Sequence, residues 1–106
     1  MPKYLLEVKY TLPGIQGLLA EGGTSRLVAA TAAADGLGGT VESFYYAFGE
    51  YDVYGIVDMP DEESMAAYAM RIIAAGGVTA RTVPLLTAGQ VDTAAAKQVG
   101  YRPPAG

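Results

Sequence analysis

The 106-residue sequence contains neither cysteine nor histidine. The first absence removes disulfides, thiol nucleophiles and the thiolate ligands of haem or zinc. The second removes every mechanism that needs an imidazole as base or metal ligand. Positive charge is also scarce, with seven basic against eleven acidic residues, and a net charge of −4 argues against a protein that tracks nucleic-acid phosphates. Long apolar runs are missing: the longest, Leu27 to Ala34, contains Thr31 and is too short and small-sided to span a bilayer. Near the N-terminus, Lys3, Glu7 and Lys9 interrupt what would be the apolar segment of a secretory signal. The expectation is a soluble, cytoplasmic protein with no nucleic-acid or membrane partner.

Bulky apolar side chains are few as well. Half of the chain (51%) is apolar, but 18 of those residues are alanine and eight are tyrosines with a hydroxyl to place. A chain of this size forms one domain that buries on the order of two-thirds of its unfolded surface, with a thin core.

What is present is strong patterning. Lys3 to Tyr10 alternates with period two and predicts a strand, with Tyr4, Leu6, Val8 and Tyr10 on one face and Lys3, Leu5, Glu7 and Lys9 on the other. Ile15, Leu18 and Leu19 fall at helical spacing and stop at Gly22-Gly23. Thr24 or Ser25 is the expected cap of a second helical piece through Asp35, with Gly36 as its left-handed exit. Val41–Phe48 and Tyr51–Asp58 read as strands joined by a tight two-residue turn at Gly49-Glu50. That turn places Glu42, Phe44, Tyr46 and Phe48 with Tyr51, Val53, Gly55 and Val57, leaving Val41, Ser43, Tyr45 and Ala47 with Asp52, Tyr54, Ile56 and Asp58. Asp61 caps a helix carrying Met65, Tyr68, Ala69 and Ile72 on one side, ended by Gly76-Gly77. Val78–Leu85 is a fourth strand whose Pro84 suits a sheet edge, and Thr87 with Gln90 opens a short helix to about Val99. Residues 1–100 thus form one domain and 101–106 a loose tail.

Strand, broken helix, strand, strand, helix, strand is the split βαβ plan of an α+β, ferredoxin-like sandwich, with a four-stranded antiparallel sheet and helices on one face. Tyr4, Leu6, Val8, Phe44, Tyr46, Val53 and Val57 suit the helix side, and Gly55 leaves room there for close helix approach. The other face mixes Leu5, Val41, Ala47, Ile56, Val83 and Leu85 with Lys3, Glu7, Lys9, Tyr45, Asp52, Tyr54, Asp58 and Arg81. It is too apolar for open water and too charged for an ordinary core, so a second copy of the chain is the expected cover.

The run Phe48-Gly49-Glu50-Tyr51-Asp52-Val53 follows Gly38-Gly39 and Ser43-Phe44-Tyr45 and precedes Met59-Pro60-Asp61 and Gly76-Gly77. Together with Gly22-Gly23-Thr24-Ser25-Arg26 and Val83-Pro84-Leu85-Leu86-Thr87, this set resembles the GYD-domain family of small bacterial proteins up to about Ala96. The resemblance implies membership of the dimeric α+β barrels, in which two sheets face each other. It implies no activity.

Glu7, Asp52 and Tyr54 are the candidate catalytic residues, since carboxylates beside phenols can act as general acid or base. Lys9, Tyr45, Tyr54 and Arg81 are the candidate ligand-binding residues on the same face. The competing reading is an ion-pair network that sets the register of a dimer. Gly49 and Glu50 have a sufficient reason in the turn. Gly23, Thr24, Ser25 and Arg26 could hold an anion at a helix start, although the spacing is neither a phosphate loop nor a dinucleotide fingerprint. Asp61-Glu62-Glu63 already serves a helix dipole, so no metal and no cofactor is expected. Three functions remain: a homo-oligomeric module that binds a small molecule, an assembly unit, and a cofactor-independent enzyme. Relatives of the fold that the resemblance implies include monooxygenases, isomerases and lyases, and an enzyme of that kind here would work through Asp, Glu and Tyr.

Overall fold

Tyr4, Leu6 and Val8 are buried while Leu5 and Glu7 between them are only half-buried, so Lys3–Tyr10 (β1) has one covered face, as its alternation requires. The computed structural model describes residues 1–105. After β1, Thr11 accepts a hydrogen bond from the Gly14 amide and caps α1 (Leu12–Glu21), with Pro13 in its first turn. Gly22, at φ 87°, ends α1 and begins α2 (Gly23–Gly36). Neither Thr24 nor Ser25 caps α2, because the helix starts one residue earlier on a glycine without a side chain. The left-handed exit is likewise Gly38 (φ 78°), not Gly36, because the helix runs on through Gly36.

β2 (Thr40–Tyr46) and β3 (Val53–Asp58) are shorter than their pattern suggested. The link is not a two-residue turn: Ala47 donates its amide to the Asp52 carbonyl at 2.8 Å, and Phe48 to Tyr51 form the loop between them. Gly49 does not take a positive φ, so the turn geometry assigned to it is absent. Phe48, read as a strand residue, stands fully exposed at the loop instead. A bulge between Val41 and Ser43 makes a second correction. The inserted residue puts Val41 opposite Val57 on the helix side and sends Glu42 to the opposite face, where it meets Lys3 at 3.1 Å.

Asp61 accepts from the Ser64 amide at 2.7 Å and caps α3 (Glu62–Ala74), with Glu62 and Glu63 in the first turn. β4 (Val78–Leu85) follows, and α4 (Ala88–Ala95) opens with a complete Thr87–Gln90 capping box but ends short of Val99.

The sheet order is β2-β3-β1-β4, all antiparallel, with β4 and its Pro84 at an edge. This is the α+β, ferredoxin-like arrangement. The core comprises Tyr4, Leu6, Val8, Val53 and Val57 from the sheet, Met59 after it, Met65 and Tyr68 from α3, and Ala34 as the single buried residue of α2. From Leu86 to Ala105 every residue is exposed. The radius of gyration, 16.9 Å, exceeds the ~13 Å of a compact chain this long, as a projecting C-terminal arm would make it. Among the described residues no helix is long and apolar enough to cross a membrane.

Candidate functional site

The open sheet face holds most of the residues singled out for chemistry, and the register sets them in a row. Tyr45 lies opposite Tyr54, Tyr54 opposite Glu7, and Glu7 opposite Arg81, one residue from each strand. The Glu7 side chain is only 18% exposed, and its partner is the Arg81 guanidinium at 4.0 Å. Arg81 itself is largely exposed and donates to the Tyr51 hydroxyl at 3.4 Å. Tyr51 therefore stands on this face, edge-on to Tyr54 with ring centroids 6.0 Å apart, and not among the core residues with which the turn had grouped it. The hydrogen bond to the Tyr51 phenol, and after it the charge of the Glu7 carboxylate, hold the Arg81 guanidinium above its ordinary pKa. Lys9 is exposed and donates to the Glu50 carbonyl at 3.3 Å. Tyr45 is exposed on the edge strand.

Asp52 does not join this row. Its carboxylate accepts the Tyr10 amide at 2.8 Å while its own amide donates to the Val8 carbonyl at 2.8 Å, so it closes the end of β1 where the ladder with β3 stops. The role is structural, because the side chain replaces a missing strand partner. Asp52→Ala is expected to cost about 1–3 kcal/mol by leaving the half-buried Tyr10 amide unpaired, and Asp52→Asn, which keeps an acceptor, much less. Urea unfolding of the two variants checks this; equal losses would contradict the hydrogen-bond account.

The start of α2 is partly occupied. The Tyr46 hydroxyl donates to the Gly23 carbonyl at 2.9 Å, and its ring leaves no slack for a Cβ at Gly23. Thr24 and Ser25 are exposed, and Arg26 pairs with Glu21 at 3.6 Å. Asp61, Glu62 and Glu63 stay with their helix start, and among the described residues no three acidic side chains gather as a metal site needs.

A second site lies on the helix side. α2 lies nearest β2 and α3 nearest β4, the two edge strands, and the middle strands are buried beneath Ala34, Met65 and Tyr68 where the two helices approach each other. Between them opens a cleft of about 290 Å³, floored by Leu6, Val8, Val53, Gly55 and Val57 and walled by Ala29, Ala30 and Ala33 of α2 and Ile72 of α3. Gly55 meets strand β2 within 4 Å and no helix, so the space expected for close helix approach is open floor. Tyr68 bridges the gap, its hydroxyl donating to the Ala30 carbonyl at 2.9 Å. A neighbouring cleft of about 270 Å³ reaches under α1 and shares Tyr10, Arg26, Ile72, Ala75 and Val78 with the first. Burial, with the adjacent Tyr46 hydroxyl, pushes the Tyr10 phenol up to about 12. Burial raises Tyr68 as well. Both phenols therefore stay protonated near neutrality and serve as hydrogen-bond donors, not as bases.

A family model for the GYD domain matches residues 4–95. The chain belongs to the GYD-domain family. No curated protein and no solved structure matches it.

The match spans both faces of this GYD domain, from Tyr4 in β1 to Ala95 at the end of α4. The signature residues Gly49, Glu50, Tyr51 and Asp52 fall in the β2–β3 loop and its return, where Asp52 secures β1 and Tyr51 meets Arg81. Sequence reasoning did not find the helix-side cleft, nor Arg71 and Tyr10 on its lining. A signal existed: α2 offers only Ala29, Ala30 and Ala33 where larger side chains would fill the space, and it stands beside a sheet with Gly55 in the middle.

Proposed function

We propose that this GYD domain is a homodimeric module that binds a small apolar molecule in the cleft between α2 and α3. The cleft is the observation that carries the reading. It is concave and mostly apolar, and it is close to the ~300 Å³ at which small-ligand sites begin. Binding is favoured over turnover because, among the described residues, no carboxylate lines the cleft and its two tyrosines are held as phenols. The alternative, a cofactor-independent enzyme, draws on Glu7, Tyr54 and Arg81, which lie on the opposite face and would need a partner copy to enclose them.

Dimerisation is supported by that open face. Leu5, Ile56, Val83 and Leu85 remain half-buried in the single chain, with no helix of their own above them. Around them stand both signs of charge, Lys3 and Arg81 with Glu7, Glu42 and Asp58, which a twofold axis can oppose in complementary pairs. The projecting arm after Leu85 exposes Leu86, Val91, Val99 and Tyr101, and the same second copy would shelter it.

The test is to fill the cleft. Ala33→Leu adds three carbons to an exposed wall residue, and is expected to raise ligand-free stability by about 0.5–2 kcal/mol while abolishing capture of small apolar molecules. Thermal unfolding and native mass spectrometry read both effects. Unchanged capture by the filled variant would remove the cleft as the binding site.

A further inference from the structure

The charged residues of the cleft are of one sign. Among the described residues only Arg26 and Arg71 carry charge there, in a chain whose net charge is −4. Arg71 lies in the last turn of α3, where a helix dipole alone would justify a cation. Arg26 has no such reason. It lies in the first turn of α2, where the dipole disfavours positive charge, and its pair with Glu21 is long, at 3.6 Å, with both side chains about half exposed. Arg71 makes no ion pair with any described residue. The two arginines line the cleft from the start of α2 and the end of α3, with Tyr10 and Val78 also on its lining.

We infer that the cleft takes a carboxylic acid with an apolar body, the tail lying over Leu6, Val53 and Gly55 and the carboxylate received between Arg26 and Arg71. This rests on the cleft being the ligand site proposed above. A planar, forked guanidinium matches a carboxylate's two oxygens, and beside an apolar wall such bonds are stronger than in water. The Tyr10 ring lies on the lining of the same cleft. Arg26 pairs with Glu21 at 3.6 Å, and a half-exposed pair of that kind gives way readily to a better-oriented acceptor. Size limits the tail: at ~30 Å³ per small group, about 290 Å³ holds about ten.

Decanoate, decanol and decyltrimethylammonium are the probes, titrated into the full chain by calorimetry with amide NMR shifts at Ala30 and Gly55 as the location check. Decanoate is expected to bind about tenfold to a hundredfold more tightly than decanol, and the cation not at all. Arg71→Gln and Arg26→Gln, both at exposed positions, should each bring decanoate toward decanol while leaving decanol unchanged. Glu21→Gln, by releasing Arg26, should tighten decanoate alone. If neither decanoate nor decanol shifts Ala30 and Gly55, the cleft is not a ligand site and both readings fall. If decanol binds there as tightly as decanoate, or the arginine variants bind decanoate unchanged, the ligand site stands and the carboxylate assignment is overturned.

Discussion

Gly14→Ala is expected to destabilise the domain by about 3 kcal/mol, although alanine is the better helix former. Gly14 sits in the first turn of α1, and a Cβ there would coincide with the Gly77 carbonyl. That carbonyl cannot retreat easily. It accepts the Thr11 amide at 3.0 Å, and the neighbouring Gly76 carbonyl accepts the Thr11 hydroxyl at 2.8 Å, so the α3–β4 turn is tied to the start of α1 by two bonds. Helix propensity offers about 1 kcal/mol in favour of alanine, which the forced separation of two backbones outweighs. Gly17 in the same helix is the control. A Cβ there meets only the Glu21 side chain, at 3.9 Å, so Gly17→Ala is expected to stabilise by about 0.5–1 kcal/mol. Opposite signs from two glycine-to-alanine changes three residues apart would be read by urea unfolding. Two stabilising results would show that the α1–turn contact is looser than its geometry.

Leu5→Glu is expected to turn the proposed dimer into a monomer with its fold intact. Leu5 lies at the centre of the open face, opposite Ile56 on one side and Val83 on the other. A carboxylate there has no function in the monomer's core, which lies on the other side of the sheet. In a twofold pair it would bury two like charges close to one another without partners, a penalty of several kcal/mol. Light scattering after size exclusion should report twice the chain mass for the parent and the single mass for the variant, with unchanged far-ultraviolet circular dichroism. A parent that is already monomeric at low micromolar concentration, or a variant that remains dimeric, would remove the open face as the interface.

Much of this architecture was legible in particular residues. The alternation in Lys3–Tyr10, the Asp61 cap, the Thr87–Gln90 box and the span Val78–Leu85 are local patterns, and the structure has them where the pattern put them. That Glu7 reaches Arg81 across one neighbour was also legible from strand order and a period of two, whereas on the other side the sequence left Asp52 or Tyr54 open and the register chose Tyr54. The β2–β3 link was not. A Gly-X pair between two β-rich runs reads as a tight turn, yet Asp52 is drawn to the end of β1, and that long-range bond opens the loop. The bulge at Glu42 was invisible for a related reason: one extra residue exchanges the faces of Val41 and Glu42, and Lys3 with Asp58 waits across the sheet to receive the displaced carboxylate.

The sequence by itself determined the order of elements, the four-stranded antiparallel sheet with helices on one face, and the exclusion of thiol and imidazole chemistry. These follow from periodicity, capping and composition, which act over a few residues or over the whole chain at once. Only the tertiary structure decided that α2 and α3 settle toward the two edge strands and leave a cleft between them. That outcome depends on how far apart two helices settle when one is faced with alanine and the sheet beneath it carries a glycine. It is a matter of volumes brought together from six separate elements, and no single segment of the chain contains it.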